Sequence, residues 1–188
     1  MTESIHYHVP KTRGEIVGAL ESVHTQAGAL WRRFPSNEFF ETPKIGGWSP
    51  AQNVEHLVKS TAPVTLALRV PRIMLRVLFG AARTPSRSFV QVREAYRQVL
   101  GEGAESGRFG PRDVRLPDDP AAARERLLAR WQKLLPGLTR AVRRWDEPAL
   151  DHYRLPHPLL GKLTVREMLY FTLYHLGHHA QIVAKRPR

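Results

Sequence analysis

Two helix-start signals constrain the fold of this chain more than any other feature. Ser49, followed by Pro50 and Gln52, forms a capping box, in which two side chains satisfy backbone amides that have no helical partner. A second capping box runs from Thr164 to Glu167 and opens the last periodic segment. Apolar residues recur at helical spacing, whereas strand-like alternation is weak throughout. The sequence therefore predicts an all-α protein.

Four long helices account for most of the chain. They are predicted over residues 11–34, 49–79, 119–145 and 164–185. Pro63 and Pro71 are expected to kink or interrupt the second helix, and Pro136 to kink the third, because proline lacks a backbone donor and clashes with the preceding turn. A shorter helix is predicted over residues 88–100, and loops are predicted over residues 35–47 and 101–117. We expect a single four-helix-bundle domain over residues 1–188.

Composition excludes several classes of protein and of site. The chain has 188 residues and no run of 18 or more apolar ones, so a membrane span is not expected. Its first residues lack the basic-then-apolar pattern of a secretory signal, so we expect a cytoplasmic protein. The absence of cysteine excludes disulfides and thiolate ligands, so nitrogen and oxygen must hold any metal.

The formal net charge of +12 comes mostly from arginine. Such a charge suits nucleic acid or another anionic surface, but a solvated, arginine-rich surface is the favoured explanation. Arg69, Arg72 and Arg76 share one helical face. The other side carries apolar residues, as an ordinary amphipathic helix requires, namely Val70, Ile73, Met74 and Val77. Zinc-finger spacing and an aromatic RNA-binding signature are both missing, so nucleic acid is not expected as a partner.

Three histidines are the main candidates for chemistry. His175 and His179 stand four residues apart on the last helix, so both imidazoles lie on one face. His56 on the second helix supplies a third nitrogen, which gives the ligand count of a metal site with an open position. His178 lies farther round the helix. Spacing alone leaves open the alternative that these are hydrogen-bonded histidines of the core.

Other polar residues are weaker candidates. Asn53, one turn before His56, is placed to line the pocket or to orient a ligand. Glu55 is expected to face solvent, Glu167 to act as a cap and His24 to be structural. The remaining histidines are expected at the surface, namely His6, His8, His152 and His157. Tyr170 and Tyr174 lie opposite the apolar stripe, which predicts a second interface or the surface.

The segments GWSPAQNVEHL and HPLLGKLTVREMLYFTLYHLGHHAQI resemble the DinB/YfiT-like superfamily. The resemblance covers residues 47–57 and 157–182, whereas the middle of the chain matches no pattern that we identify. It implies a four-helix bundle of DinB/YfiT-like type with a three-histidine metal site. It also implies a divalent metal, commonly zinc or nickel, bound by His56, His175 and His179 with water completing the shell.

The resemblance leaves two reactions open. Some members resemble S-transferases that use a low-molecular-weight thiol, and others look like hydrolases or isomerases. A metal acting as a Lewis acid would activate water for hydrolysis or hold a small thiol for transfer. We therefore expect a metal-dependent hydrolase or small-thiol S-transferase acting on a small molecule. The alternative is a non-catalytic bundle that binds a metal or ligand in a stress response. Bundles of this kind often pair through exposed apolar faces, so a homodimer is also an open expectation.

Overall fold

The computed structural model describes residues 5–43, 46–103, 107–111 and 116–185. In these ranges the helices are α1 (Arg13–Arg32), α2 (Ser36–Phe40), α3 (Pro50–Ala67), α4 (Arg72–Phe79), α5 (Phe89–Gly101), α6 (Pro120–Val142), α7 (Glu147–His152) and α8 (Val165–Ala184). A 3-10 turn spans Gly107–Phe109, and the strands are β1 (Arg154–His157) and β2 (Gly161–Thr164). None of these helices is long and apolar enough to cross a membrane.

The four longest helices form the bundle. Helix α1 packs against α6 and α8, and α3 packs against the same two helices. The order around the bundle is therefore α1, α6, α3, α8. Their facing sides supply the largest buried side chains, among them Trp31 of α1, Leu57 of α3 and Trp131 of α6. This arrangement confirms the predicted four-helix bundle.

Side-chain caps begin these helices where the sequence predicts them. The Ser49 hydroxyl accepts from the Gln52 amide at 3.1 Å, and the Gln52 side chain accepts from the Ser49 amide at 2.8 Å. Thr164 and Glu167 make the same reciprocal pair at 3.1 and 3.0 Å. Each pair satisfies two amides that the helix leaves free, which fixes where the histidine-bearing helices start.

The predicted second helix is interrupted at Pro71, which is one of the two positions where the sequence predicted a kink or a break. Helix α3 ends at Ala67, and α4 begins after Pro71, which is the residue that caps it. Pro71 cannot donate to the preceding turn and restricts the residue before it, so the chain turns there. Pro63 and Pro136 instead remain inside α3 and α6, and each of these helices continues as one element.

One expectation about an irregular segment needs correction. The predicted loop over residues 35–47 contains α2, because Phe39 and Phe40 are buried where α2 packs against α6 and α3. Residues 44–45 lie outside the described ranges, as do 104–106 and 112–115 of the second predicted loop. Residues 88–100 form the predicted shorter helix, observed as α5 with Ser88 as its cap.

A short antiparallel hairpin precedes α8. Strands β1 and β2 pair Leu155 with Leu163, and both side chains are buried. Gly161 begins β2 with φ of +71°, a conformation that glycine adopts without steric cost. Each strand has four residues, which is too short for a clear alternation in the sequence. The predicted all-α fold is confirmed as mostly helical, but the prediction missed this hairpin.

Helix α8 is covered on almost every side. Besides α1 and α3, it packs against α5, α7 and both strands. Tyr7 of the N-terminal segment approaches so closely that a Cβ added at Gly177 would lie 3.0 Å from its ring. Tyr170 is buried with its ring 5.9 Å from that of Phe89 on α5. The second interface predicted for Tyr170 therefore lies within the chain, against α5.

Candidate metal centre

Three buried histidines meet where α3 faces α8. The Nε2 atom of His175 lies 2.9 Å from Nε2 of His56 and 3.1 Å from Nε2 of His179. One ring nitrogen from each residue lies within 4.8 Å of the other two. The three residues singled out from the sequence are thus brought together, with their Nε2 atoms converging on one point.

Local helical geometry accounts for this convergence. His175 and His179 are one turn apart on α8, so their rings project from the same face. His56 lies two turns after the Ser49 cap on α3, the helix that packs along that face. The site is therefore built on helices on both sides, and its geometry depends on how α3 docks against α8.

Asn53 fixes the orientation of the His179 ring. Its amide nitrogen donates to the carbonyl oxygens of Trp48, at 3.1 Å, and Ser49, at 2.9 Å. Its side-chain oxygen is thereby directed at Nδ1 of His179, 2.7 Å away. An amide oxygen only accepts, so the His179 Nδ1 carries the hydrogen and its Nε2 presents a lone pair to the cluster. Asn53 thus orients one of the three histidines, whose role as metal ligands stays a prediction.

The His56 ring is oriented by the backbone. Its Nδ1 donates to the carbonyl oxygen of Phe109 at 2.7 Å, so its Nε2 also presents a lone pair. Lys59 donates to the Gly110 carbonyl at 3.3 Å and pairs with Glu55 at 3.0 Å. The segment 107–111 is therefore tied to α3 beside the site. Sequence analysis missed Phe109, because any residue can supply a main-chain carbonyl.

Aromatic rings line the cluster. Trp48 is stacked on His179, with ring centroids 5.6 Å apart and planes 7° from parallel, and its centroid lies 4.9 Å from that of His56. Phe171 is stacked on His175 at 5.0 Å. These apolar faces surround the imidazoles with groups that do not solvate a charge, so they favour neutral rings.

Burial keeps the three rings unprotonated. It lowers the pKa of His56, and it lowers the pKa values of His175 and His179 well below the ordinary range. Repulsion from His56 lowers the pKa of both α8 residues further. A neutral imidazole is the form that binds a metal, so the cluster is in the ligand form at neutral pH.

His178 lies outside the cluster, as its position on the helix predicted. Its ring is stacked on Tyr174, with centroids 5.6 Å apart. His24 is structural, as expected, because its Nε2 donates to the Trp131 carbonyl at 2.9 Å. Gln181 of the family-like motif donates to the Ile5 carbonyl at 3.2 Å, which ties the N-terminal segment to α8.

The expected surface position of His157 is wrong. The residue is buried in the hairpin, with its ring centroid 4.2 Å from that of Phe171. Its Nδ1 accepts from the amides of Leu159 and Leu160 at 3.2 and 3.0 Å. Burial lowers the pKa of His157 to about 4. It closes the hairpin turn, a role that spacing in the sequence does not reveal.

Comparisons with known proteins agree with this architecture. The chain aligns over 94% of its length, and over 89% of the other chain, with YfiT from Bacillus subtilis, at 18% identity and a TM-score of 0.55. That protein is described as a probable metal-dependent hydrolase with an unusual four-helix bundle topology. No curated protein matches the sequence. The family profile of the DinB superfamily matches residues 8–183. The chain therefore belongs to the DinB superfamily.

Proposed function

We propose that His56, His175 and His179 bind one divalent metal ion through Nε2, and that the protein is a metal-dependent enzyme. The observation that carries the proposal is the direction of the nitrogen lone pairs. The Nε2 atoms of His56 and His179 both point lone pairs at Nε2 of His175. A single hydrogen on the His175 nitrogen cannot fully satisfy both neighbours. A cation at this point satisfies all three nitrogens together.

The distances also fit a metal. Zinc binds imidazole nitrogen at about 2.0–2.1 Å, so two nitrogens of a tetrahedral shell lie roughly 3.3 Å apart. The observed separations of 2.9 and 3.1 Å are close to that value. Zinc suits three nitrogens plus water, and nickel is the second candidate because imidazole also suits that ion.

The residues around the cluster have separate tasks in this proposal. A divalent ion bound there would act as a Lewis acid toward water or a small thiol. Asn53 and the Phe109 carbonyl hold the Nδ1 hydrogens and so keep His179 and His56 in the ligand tautomer. Trp48 packs against two of the imidazoles and so favours their neutral form, which is the form that binds a metal.

Two reactions on a small-molecule substrate follow from that chemistry. Activation of water gives hydrolysis, whereas activation of a low-molecular-weight thiol gives transfer of the thiol to an electrophile. The description of YfiT as a probable metal-dependent hydrolase supports the first. The three-nitrogen ligand set suits both equally.

Metal analysis of the purified protein tests the binding. We expect about one divalent ion per chain, and a sharp loss in His56→Ala and in His179→Ala. His152→Ala is the matched control, because His152 is exposed and outside the cluster. Full metal content in both cluster variants would contradict the assignment. Activity is then screened with ester and amide substrates, and with electrophiles plus a small thiol, before and after chelation.

A non-catalytic metal-binding bundle is the second candidate. The observation that favours it is the burial of all three histidines, which limits approach by a substrate. The same preparation separates the two functions. Turnover that is lost on chelation and restored by the metal identifies an enzyme. Bound metal with no turnover of either substrate class favours the non-catalytic protein.

A further inference from the structure

Helix α4 places its apolar side in solvent. An amphipathic helix ordinarily turns that side toward the core. In α4 only Leu75 is buried, whereas four large apolar side chains are exposed by 49–77% of their surface. They are Ile73, Met74, Val77 and Leu78, and we call them the α4 apolar face. They fall within one arc of the helix that points away from the side holding Leu75.

The contacts of Arg72 hold α4 in this orientation. Its guanidinium pairs with Asp146 at 3.0 Å, donates to the Arg144 carbonyl at 2.9 Å and lies 4.8 Å from the ring centroid of Trp145. Leu75, one turn later, is buried on the same side. Rolling the α4 apolar face inward would break these contacts and expose Leu75, so the outward direction is built into the packing.

The chain around α4 is basic and has no acidic residue. Residues 66–87 contain five arginines and neither aspartate nor glutamate. Arg72 and Arg87 have carboxylate partners elsewhere in the fold. Three others are exposed without an acidic partner among the residues that the structure describes, namely Arg69, Arg76 and Arg83. Arg76 flanks the α4 apolar face directly, one turn from Arg72.

We propose that α4 docks on an anionic lipid surface, with its apolar face in the interfacial region and its arginines at the headgroups. Helices that lie in a membrane interface combine an apolar side with flanking basic residues, as α4 does. Basic residues near anionic lipid add favourable binding energy, so the arginines around α4 would strengthen its docking. Docking of this kind needs no membrane-spanning segment.

Two other occupants fit α4 less well, one because of its charge and the other because of its apolar face. A second copy related by a twofold axis would bring the same arginines together across the interface, and like charges there are unfavourable. Nucleic acid would use the arginines but would leave the α4 apolar face in water, since phosphate contacts are polar. An anionic lipid surface accommodates both features, so it explains why the two occur together.

Sedimentation of the full chain with vesicles tests the proposal. We expect binding to vesicles containing phosphatidylglycerol and little binding to pure phosphatidylcholine. Val77→Asp should weaken the binding by roughly tenfold or more, because an apolar group at the interface becomes charged. Arg69→Gln combined with Arg76→Gln should weaken it by about 30-fold, from the contribution of each basic residue near the lipid.

Matched variants separate docking through α4 from general attraction of a basic protein. Val90→Asp makes the same charge change at an exposed valine of α5, and Arg126→Gln with Arg130→Gln removes two exposed charges from α6. Both should bind several-fold more tightly than their α4 counterparts. Equal losses in the matched pairs would overturn the proposal. A solution dimer of the unmodified chain that Val77→Asp dissociates would overturn it too, by assigning the face to a second copy.

Discussion

The side-chain oxygen of Asn53 lies 2.7 Å from Nδ1 of His179, so a residue of α3 sets the tautomer of a histidine on α8. This contact couples the two helices at the site. Replacing Asn53 with leucine keeps the approximate volume but removes the acceptor. We expect metal affinity to fall by about 10–100-fold, the usual effect of losing such a partner. Competition with a chromophoric chelator measures the change.

Asn37→Leu is the control for that experiment. Asn37 is exposed on α2, where the same substitution leaves the histidines untouched. Its metal affinity should equal that of the unmodified protein. If Asn53→Leu bound metal as tightly as Asn37→Leu, the orienting role of Asn53 would be refuted.

His175 and His178 should respond oppositely to truncation. His175 supplies the Nε2 atom shared by the other two rings, so His175→Ala should lose most of its metal affinity. His178 is stacked on Tyr174 outside the cluster, so His178→Ala should keep its metal with at most a modest loss. A metal titration of both variants at one pH makes the comparison. If His175→Ala kept its metal and His178→Ala lost it, the site would lie on a different face of α8 from the one assigned.

His157 should make stability depend on pH. The pKa of His157 is about 4 in the folded protein, and near the ordinary histidine value of about 6.5 in the unfolded chain. Between these values the unfolded chain takes up a proton that the folded chain does not. The free energy of unfolding should therefore fall as the pH falls from 6.5 to 4, by up to about 3 kcal/mol. Protonation of Nδ1 would also remove its bonds with the Leu159 and Leu160 amides.

Urea unfolding of metal-free protein at pH 7 and pH 4.5 measures that dependence. His157→Asn keeps an acceptor near the position of Nδ1 but does not titrate in this range. We expect the variant to lose less stability between the two pH values than the unmodified protein. Identical losses would show that His157 does not contribute to the pH dependence.

Removing Arg166 should destabilise the fold. Its guanidinium, mostly buried at the start of α8, makes two bonds to the Asp151 carboxylate, at 2.6 and 2.9 Å, and one to the Glu147 carboxylate at 2.7 Å. These bonds hold α7 against α8, and the bonded carboxylates raise the pKa of Arg166. Arg166→Met would remove these bonds, but Glu147 and Asp151 are 47% and 40% exposed, so water would solvate part of their charge. We expect a cost of roughly 1–2 kcal/mol, below that of breaking a fully buried pair.

Chemical denaturation at pH 7 tests the Arg166 prediction. Arg166→Lys should recover only part of the loss, because an ammonium cannot make the two-pronged contact with Asp151. Arg97→Met is the control, since Arg97 is exposed and its contact with Glu94 is 3.7 Å long. A loss in Arg166→Met no larger than in Arg97→Met would contradict the prediction.

Helix starts and the pair of histidines on α8 could be predicted because both are encoded locally, whereas His56 is 119 residues from His175 and its place in the cluster is not local information. A capping box needs residues three apart, as in Ser49 and Gln52, and two side chains share one helix face when their residues are four apart, as in His175 and His179. Other features depend on partners that are distant in the sequence. Spacing shows that α4 has an apolar side, but not that Arg72 turns this side outward. The Phe109 carbonyl has no side-chain signature, so its bond to His56 had no signal in the sequence.

The covering of α8 on nearly every side has a kinetic consequence. Peptide hydrogens in such a segment exchange with solvent only when the whole domain unfolds, whereas those of peripheral elements exchange through local openings. His175 and His179 lie in the middle and later turns of that helix, with Leu176 and Ala180 fully buried beside them. The half of the site that they form should therefore persist through every local fluctuation and last as long as the fold itself.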